Sequence, residues 1–224
     1  AVVRRVLAWP GVERGVTLDA LTYAGSVGRL EGLDGRHRFV RGDVRDRGLV
    51  QGVLEAEGVE TVIHLAAESH VDRSIAGPEV FVETNVRGTM ELLEAARGRV
   101  ARFHQVSTDE VYGDLEEGAA REGDAYRPGS PYAASKAAAD HLVAAWARTY
   151  GVGVSWTWGS NTYGPGQVVE KLIPVVVRAA VEGREIPMYG DGRQVRDWLF
   201  VEDHAEAIAR VAADGPEGRG YNVA

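Results

Sequence analysis

The sequence predicts an α/β protein built on a doubly wound parallel sheet, because short strand-like runs alternate with longer amphipathic stretches along its 224 residues. Parallel neighbouring strands need crossover helices, and this alternation supplies them. Apolar residues make up 45% of the chain, which is enough for one globular core or for one domain and part of another. No internal repeat or low-complexity segment interrupts the alternation.

Period-two and β-branched runs predict strands, whereas apolar residues at helical spacing predict helices. The predicted strands are residues 16–18, 39–40, 61–65, 103–106 and 152–158. The predicted helices are residues 47–57, 78–97, 132–150, 170–182 and 201–213. Two segments rich in glycine and proline, 113–131 and 159–167, predict loops.

The chain is expected to divide near residue 165. Residues 1–165 predict a nucleotide-binding α/β domain, and residues 166–224 predict part of a smaller, interleaved α/β substrate domain. In dinucleotide-binding folds an acidic residue for the adenosine ribose follows a glycine-rich turn by about 20 residues. Asp19 ends the first predicted strand. Counting about 20 residues back from Asp19 leads beyond residue 1, and residues 1–8 predict part of a helix. We therefore expect a longer protein, with a preceding strand and glycine-rich turn and with more substrate domain after the strand-like residues 220–224.

Composition and charge exclude several classes of protein. The formal net charge is −8 and no basic cluster occurs, so a nucleic-acid partner is not expected. The chain has no cysteine, which excludes disulfides, thiolate metal ligands and a cysteine nucleophile, and which fits a cytoplasmic location. No metal site is predicted. No apolar run approaches the roughly 18 to 20 residues of a membrane span, so no membrane association is expected.

Two lysines stand out against the arginines. Only Lys136 and Lys171 are lysines among the 25 basic residues. A guanidinium is planar and an ammonium compact, so these two positions predict sites that require an ammonium. Codon bias with two accidental lysines is the alternative.

Tyr132 and Lys136 are predicted to share one face at the start of a helix, about one turn apart. A phenol with a pKa of about 10 is a poor base at neutral pH, and a nearby ammonium favours its phenolate. The pair therefore predicts a catalytic base. The alternative is an exposed pair without a chemical role.

Three polar residues, Thr108, Asp109 and Glu110, follow the strand that ends at Ser107. Open α/β sheets bind ligands at the carboxyl ends of their strands. Neighbouring carboxylates in a partly closed site can take different pKa values, so that one acts as an acid and the other as a base. Alternatively, Asp109 and Glu110 are the acidic first turn of a following helix.

These motifs resemble the dTDP-glucose 4,6-dehydratases, a family of the extended short-chain dehydrogenase/reductase superfamily. The matching segments, in order along essentially the whole chain, are residues 66–74, 107–113, 132–136, 161–165, 170–174 and 190–198. The spacing of Tyr132 and Lys136 marks the superfamily, whereas Thr108-Asp109-Glu110 separates these dehydratases from sugar epimerases. The resemblance implies a Rossmann-type fold that binds NAD, a nucleotide-sugar substrate such as dTDP-glucose, and a homodimer in which helices 78–97 and 132–150 form a four-helix bundle.

The resemblance also implies catalytic roles. Tyr132, beside Lys136, takes the proton of the sugar C4 hydroxyl while NAD accepts the C4 hydride, and Thr108 holds that hydroxyl. Glu110 removes the C5 proton, and protonated Asp109 donates to the departing C6 hydroxyl. The hydride then returns to C6 and Glu110 reprotonates C5.

Binding residues follow from the same resemblance. Those implied for the cofactor are Asp19, Leu21, Thr22, Asp43, Leu65, Ala66, Ala67, Thr84, Tyr132 and Lys136. Those implied for the substrate are Ser69, Arg73, Thr108, Asn161, Glu170, Lys171, Leu172, Tyr189, Arg196 and Asn222. Asp19 favours NAD over NADP, and Lys171 with Arg196 is expected at the diphosphate. Taken singly, Asn161, Tyr189 and Arg196 also fit a turn, a packing aromatic and a surface ion pair.

Departures from the family pattern leave alternatives open. Trp158, Gly159 and Thr162 replace its usual residues, and Trp158 is expected to add bulk near the nicotinamide together with Trp156. Another nucleotide-sugar dehydratase, a 4-epimerase or a non-catalytic sugar-nucleotide binding protein remains an alternative. Tyr189 would stack on thymine and uracil alike.

Overall fold

The computed structural model describes residues 1–186, 188 and 190–224. Its strands are β1 (Gly15–Asp19), β2 (His37–Arg41), β3 (Thr61–His64), β4 (Arg102–Thr108), β5 (Val154–Gly159), β6 (Asn161–Tyr163), β7 (Trp198–Phe200) and β8 (Arg219–Val223). Its α-helices are α1 (Val2–Ala8), α2 (Arg47–Glu57), α3 (Val71–Ala76), α4 (Glu79–Phe81), α5 (Gly88–Ala96), α6 (Pro131–Tyr150), α7 (Leu172–Glu182) and α8 (Val201–Asp214). A π-helical turn, Val82–Arg87, joins α4 to α5.

All strand pairs in the described residues are parallel. Four strands form the central sheet in the order β3-β4-β5-β8, β1 pairs with β2, and β6 pairs with β7. Every residue of β5 is buried, as a parallel strand covered on both faces requires. This arrangement confirms the predicted α/β fold.

Helices cover both faces of the sheet. On one face α6 packs against β4 and β5 and also contacts α5, which in turn contacts α2. The main core lies beneath these helices and includes Leu93, Phe103, Val143, Trp156 and Trp158. On the other face α8 packs against β4 and β5 and contacts α1.

Local signals in the sequence explain where α6, the helix of the site, begins and ends. Ser130 Oγ accepts a hydrogen bond from the Ala133 amide at 3.1 Å, and Pro131 occupies the first turn, where its missing N–H costs nothing. Gly151 ends the helix in the left-handed conformation, at φ 70°. Tyr132 is thereby fixed in the first turn.

Most predicted elements are confirmed, and three predictions need correction. The predicted loop 159–167 contains β6, which is too short for a periodic signal and is formed by pairing with the distant β7. The helix predicted from residue 170 begins at Leu172, because Lys171 is its N-cap residue. The predicted helix 78–97 is not uniform, because the π-helical turn interrupts it. The short helix α3 was not predicted; it lies inside a segment that was interpreted only as a binding motif.

No helix among the described residues is long and apolar enough to cross a membrane.

Candidate active site

The carboxyl end of β4 carries the predicted acid and base. Asp109 and Glu110 open a short 3₁₀ helix, Asp109–Tyr112, whose N-cap residue is Thr108. The Thr108 hydroxyl donates to Asp109 Oδ1 and accepts from the Glu110 amide, each at 3.3 Å. The carboxylates therefore form the first turn of a helix, as the alternative interpretation predicts, and they lie at the carboxyl end of β4; their role as an acid and a base stays a prediction.

Burial raises the pKa of both carboxyl groups. For Asp109 the neighbouring Asp197 adds to the rise, while the hydrogen bond from Thr108 opposes it. For Glu110 the charge of Asp109 adds to the rise in pKa, while Lys171 and Arg196 lower it. A carboxyl group with a raised pKa is the kind that can donate or accept a proton near neutral pH.

Tyr132 is buried beside these carboxylates, at 8% exposure. Burial raises its pKa, the charge of Glu110 raises it further, and a hydrogen bond with the Thr108 side chain lowers it. This net rise in the pKa of Tyr132, set by burial and the nearby carboxylates of the chain alone, is opposite to the fall that the sequence predicts.

Lys136 lies one turn further along α6 and is 5% exposed. Its ammonium donates to the backbone carbonyl of Val106 at 2.8 Å, so it is held against β4. Burial lowers its pKa, and the carboxylate of Asp140 opposes that change. The predicted pair therefore shares one buried face of the helix, which excludes the alternative of an exposed pair.

Four of the predicted substrate-binding residues form one connected group. Lys171 Nζ donates to the Ser69 carbonyl at 3.0 Å, and Arg73 donates to Glu170 Oε2 at 2.8 Å. The Arg73 guanidinium also stacks on the ring of Tyr23, with 3.9 Å between its central carbon and the ring centroid. This group joins the loop after β1 to the N-terminus of α7. Because Lys171 influences the pKa of Glu110, the group lies beside the carboxylates.

The remaining predicted substrate residues are more dispersed. Arg196 is exposed but close enough to affect the pKa of Asp109 and Glu110. Asn161 begins β6, and Leu172 is half-exposed at the start of α7. Tyr189 lies outside the described residues.

Asn222 has a separate set of partners. Its Oδ1 accepts from the Tyr112 hydroxyl at 2.9 Å, and its Nδ2 donates to the Ala120 carbonyl at 3.0 Å. This amide therefore links the loop after β4 to β8, and its side-chain hydrogen bonds within the described residues are to Tyr112 and Ala120.

One cavity of about 370 Å³ brings together the other predicted cofactor residues. The predicted cofactor residues that line this cavity are Asp19, Leu21, Thr22, Asp43, Leu65, Ala66, Ala67 and Thr84. The carboxylate of Asp43 is paired with Arg45 at 2.6 Å, which lowers the pKa of Asp43.

The turn after β1 forms part of the wall of this cavity. Asp19 Oδ1 accepts from the Leu21 amide at 2.6 Å, and Leu21 takes a positive φ of 53°. A Cβ at Gly25 would lie 2.5 Å from Leu21 Cα, so glycine is required for the close approach. Asp19 lines the cavity, and a carboxylate is the type of group that binds the hydroxyl groups of a ribose in dinucleotide-binding folds.

Sequence reasoning missed three residues of the site. Tyr23 meets Arg73 by stacking, a contact without a local sequence signal. Asn85, in the π-helical turn, accepts a hydrogen bond from the Glu68 amide at 2.8 Å and donates to the Glu68 carbonyl at 2.9 Å. It also donates to Ser135 Oγ. Asp140 is buried four residues beyond Lys136, and extending the spacing of Tyr132 and Lys136 by one turn would have found it.

The unusual tryptophan is accommodated in the core. Trp158 packs against Tyr112, its indole N–H donates to Asp140 at 3.0 Å, and Gly220 leaves room for its ring. Gly159 is equally constrained, because a Cβ there would lie 2.5 Å from the ring of His204.

Comparisons with known proteins find several 4,6-dehydratases among the similar proteins. A family profile described as GDP-mannose 4,6 dehydratase matches residues 10–224. A dTDP-glucose 4,6-dehydratase from Xanthomonas campestris is 53% identical over 94% of this chain. This chain spans 64% of the length of that curated relative.

Two solved structures of dTDP-glucose 4,6-dehydratases have the same fold. The Streptomyces venezuelae protein, with NAD and a second ligand bound, has a TM-score of 0.94 at 47% identity. The Bacillus anthracis protein, in complex with NAD, has a TM-score of 0.89 at 39% identity. Each comparison covers 99% of this chain and 70% of the other.

Proposed function

The chain belongs to the GDP-mannose 4,6 dehydratase family, and we propose that it catalyses the NAD-dependent dehydration of dTDP-glucose to dTDP-4-keto-6-deoxyglucose. The observation that carries this proposal is the meeting of two carboxyl groups of raised pKa, Asp109 and Glu110, with buried Tyr132 at the end of β4. Oxidation at C4 needs a base such as Tyr132 and a hydride acceptor, which NAD would supply when bound. Elimination of water across C5 and C6 needs a further acid and base, which the two carboxyl groups supply.

The residues of the chain divide the proton transfers among them. Tyr132 takes the proton of the C4 hydroxyl, which Thr108 holds in place. Once C4 is a ketone, the C5 proton becomes acidic and Glu110 removes it. Asp109 protonates the C6 hydroxyl as it leaves as water, and Glu110 later returns a proton to C5. The raised pKa of Asp109 suits an acid that must hold its proton until this step.

NAD, when bound, accepts the hydride of C4 and returns it to C6, so it is regenerated in each cycle. Its adenosine end fits the cavity beside Asp19, whose carboxylate suits the free ribose hydroxyls of NAD rather than the phosphate of NADP. Lys136 is proposed to hold the nicotinamide ribose. The NAD reported in the Streptomyces and Bacillus structures supports this assignment.

The group around Lys171 is proposed to bind the nucleotide diphosphate. Lys171 and Arg196 supply positive charge next to the carboxylates, and Arg73 lies close by in its pair with Glu170. Charge-assisted contacts from such residues are strong and suit a diphosphate. Ser69 and Asn161 are proposed to face the sugar, and Tyr189 the base.

Product analysis tests the proposal. Incubation with dTDP-glucose should give a 4-keto product, detected by its absorbance in alkali, with UDP-glucose and GDP-mannose as parallel substrates. An unchanged sugar would contradict the proposal, and a product with galactose configuration at C4 would indicate a 4-epimerase. Preferential turnover of GDP-mannose would keep the reaction and overturn the proposed nucleotide.

The assembly and location belong to the same proposal. We expect a cytoplasmic homodimer in which α4, the π-helical turn and α5 pack with α6 as a four-helix bundle across the dimer axis. Sedimentation velocity at micromolar concentration should show a dimer, because α6 packs beside α5 and the π-helical turn within the chain, which supplies half of such a bundle. A monomer at that concentration would contradict the expectation.

A further inference from the structure

The carboxylate of Asp140 is buried on the same face of α6 as Tyr132 and Lys136, at 3% exposure. Three donors converge on its Oδ2: Ser107 Oγ at 2.7 Å, Trp158 Nε1 at 3.0 Å and the Tyr126 hydroxyl at 3.1 Å. Its Oδ1 has no hydrogen-bond partner within the part of the chain that the structure describes. Burial raises the pKa of Asp140, whereas Lys136 and these three donors lower it by favouring the ionised carboxylate, which can only accept hydrogen bonds.

Adjacent residues of β4, Val106 and Ser107, hydrogen-bond to Lys136 and Asp140 respectively. Lys136 donates to the Val106 carbonyl, and Ser107 donates to Asp140. Residues four apart on a helix are neighbours, with about 5–6 Å between their Cβ atoms. The two opposite charges therefore lie together behind the strand end that carries Thr108.

The titratable groups of neighbouring elements that face this pair, His64, Tyr112 and Tyr126, are uncharged at neutral pH. Burial lowers the pKa of His64, on β3, to about 3. Burial raises the pKa of Tyr112 to about 12 and also raises the pKa values of Tyr126 and Tyr132. Asp140 is thus the charge that keeps the pKa of Lys136 from falling further on burial.

We propose that Asp140 is a positioning residue, a buried carboxylate that keeps the ammonium of Lys136 charged and fixed against β4, and that Trp158 helps to hold this carboxylate in place. The role of the charge in turnover rests on the proposed function, in which Lys136 acts beside Tyr132. The coupling between the two side chains does not depend on that function.

Lysine NMR measures this coupling directly. Lys136 and Lys171 are the only lysines in the 224 residues, so labelling with [ε-¹³C]lysine gives few signals. The signal that disappears in Lys136→Arg is that of Lys136. In Asp140→Asn, the titration midpoint of Lys136 should fall, because the Asp140 carboxylate opposes the effect of burial on that pKa; an opposite charge within about 4–6 Å shifts a pKa by about 1–3 units. An unchanged midpoint would overturn the proposal.

A matched control separates the charge effect from loss of packing. Glu94, on α5, accepts a hydrogen bond from the indole N–H of Trp146 at 2.8 Å. Trp146 is on α6, like Asp140, but lies away from the site. Glu94→Gln removes a carboxylate with the same kind of partner and should leave the Lys136 midpoint unchanged. An equal fall in both variants would overturn the proposal.

If Asp140→Asn does not fold, the reciprocal measurement decides. In Lys136→Met the titration of Asp140, followed through the indole ¹⁵N–H signal of Trp158, should move to higher pH by a similar amount, because coupling between two sites is reciprocal. Trp158→Phe assigns that signal by its loss. An unmoved midpoint would again overturn the proposal.

Kinetics connects the coupling to the reaction. In Asp140→Asn the alkaline limb of the kcat/KM profile should move to lower pH together with the Lys136 midpoint. If the wild type dehydrates dTDP-glucose and the NMR midpoint does not move, the proposal about Asp140 fails and the proposed function stands. If the midpoint moves and no dehydration occurs, the proposed function fails and the coupling stands.

Discussion

At the scale of single residues, the active site places ionisable groups where their charges are costly. Asp109 and Glu110 both have raised pKa values because they are largely removed from water. A carboxyl group with a raised pKa favours the folded state below that pKa. As the pH rises from the pKa of this group in the unfolded chain to its raised pKa in the folded chain, the free energy of unfolding falls. Above the folded pKa, the buried group is ionised and destabilises the folded state.

Glu110→Gln should therefore trade activity for stability. Turnover should fall by at least about 10²-fold, because a general base is lost, while dTDP-glucose still binds in calorimetry. The melting temperature at pH 8 should rise, by about 2–4 °C for each kcal/mol of stability recovered. At pH 4 the gain should vanish, because the wild-type carboxyl group is then protonated. Retained turnover, or a lower melting temperature at pH 8, would contradict this interpretation of Glu110.

Sequence reasoning reached these residues through the resemblance and the strand-end pattern. It placed Tyr132 and Lys136 on one helical face correctly, because spacing along a helix is a local property. It misjudged the pKa of Tyr132, because that value depends on burial and on Glu110, which the fold brings together from β4. Tyr23 and Asp140 could be found only from contacts between distant segments or by extending a helical face.

At the scale of secondary-structure elements, Gly220 of β8 packs directly against the indole ring of Trp158. A Cβ at Gly220 would overlap that ring, and the ring is enclosed between the strand and Tyr112. Gly220→Ala should destabilise the protein by about 1–3 kcal/mol, as overpacking of a core does. Urea unfolding measures this change.

A helical glycine provides the control for that measurement. Gly52 lies in α2, and a Cβ added there would meet no atom within 4 Å. Gly52→Ala should stabilise the protein by about 0.5–1 kcal/mol, because glycine is unfavourable inside a helix. Equal effects of the two substitutions would show that the Trp158 ring does not constrain β8.

The π-helical turn gives Asn85 its role. The turn lets this side chain reach both backbone groups of Glu68, next to the cavity lined by Thr84. Asn85→Ala should cost about 1–3 kcal/mol, because buried polar groups lose their partners, and should reduce the NAD retained on purification. Glu83→Gln, in the same turn but exposed, should change neither urea stability nor NAD content. Normal NAD content in Asn85→Ala would contradict a link between the turn and the cavity.

Elements were predicted where the pattern is long and periodic. The bounds of α2 and α6 follow from apolar spacing and from capping residues such as Ser130 and Gly151. β6 and β7 are three residues each and depend on pairing across a gap of about 35 residues, which no local pattern encodes. The π-helical turn was missed because its sequence has ordinary helical spacing.

At the scale of the whole molecule, the parallel sheet brings the chemistry together. The carboxyl end of β1 presents Asp19 and that of β4 presents Thr108, so the cavity and the carboxylates lie along one side of the fold. The division of the chain near residue 165 stays a prediction. The two lysines, singled out by composition alone, are both directed inward, onto the carbonyl groups of Val106 and Ser69.

The fate of the C4 hydrogen tests the proposed reaction most directly. With dTDP-[4-²H]glucose as substrate, NMR and mass spectrometry should find the deuterium at C6 of the 4-keto product, because the hydride removed from C4 is returned within the same closed site. Deuterium that is lost to solvent, or that remains at C4 of a sugar with inverted configuration, would contradict the account.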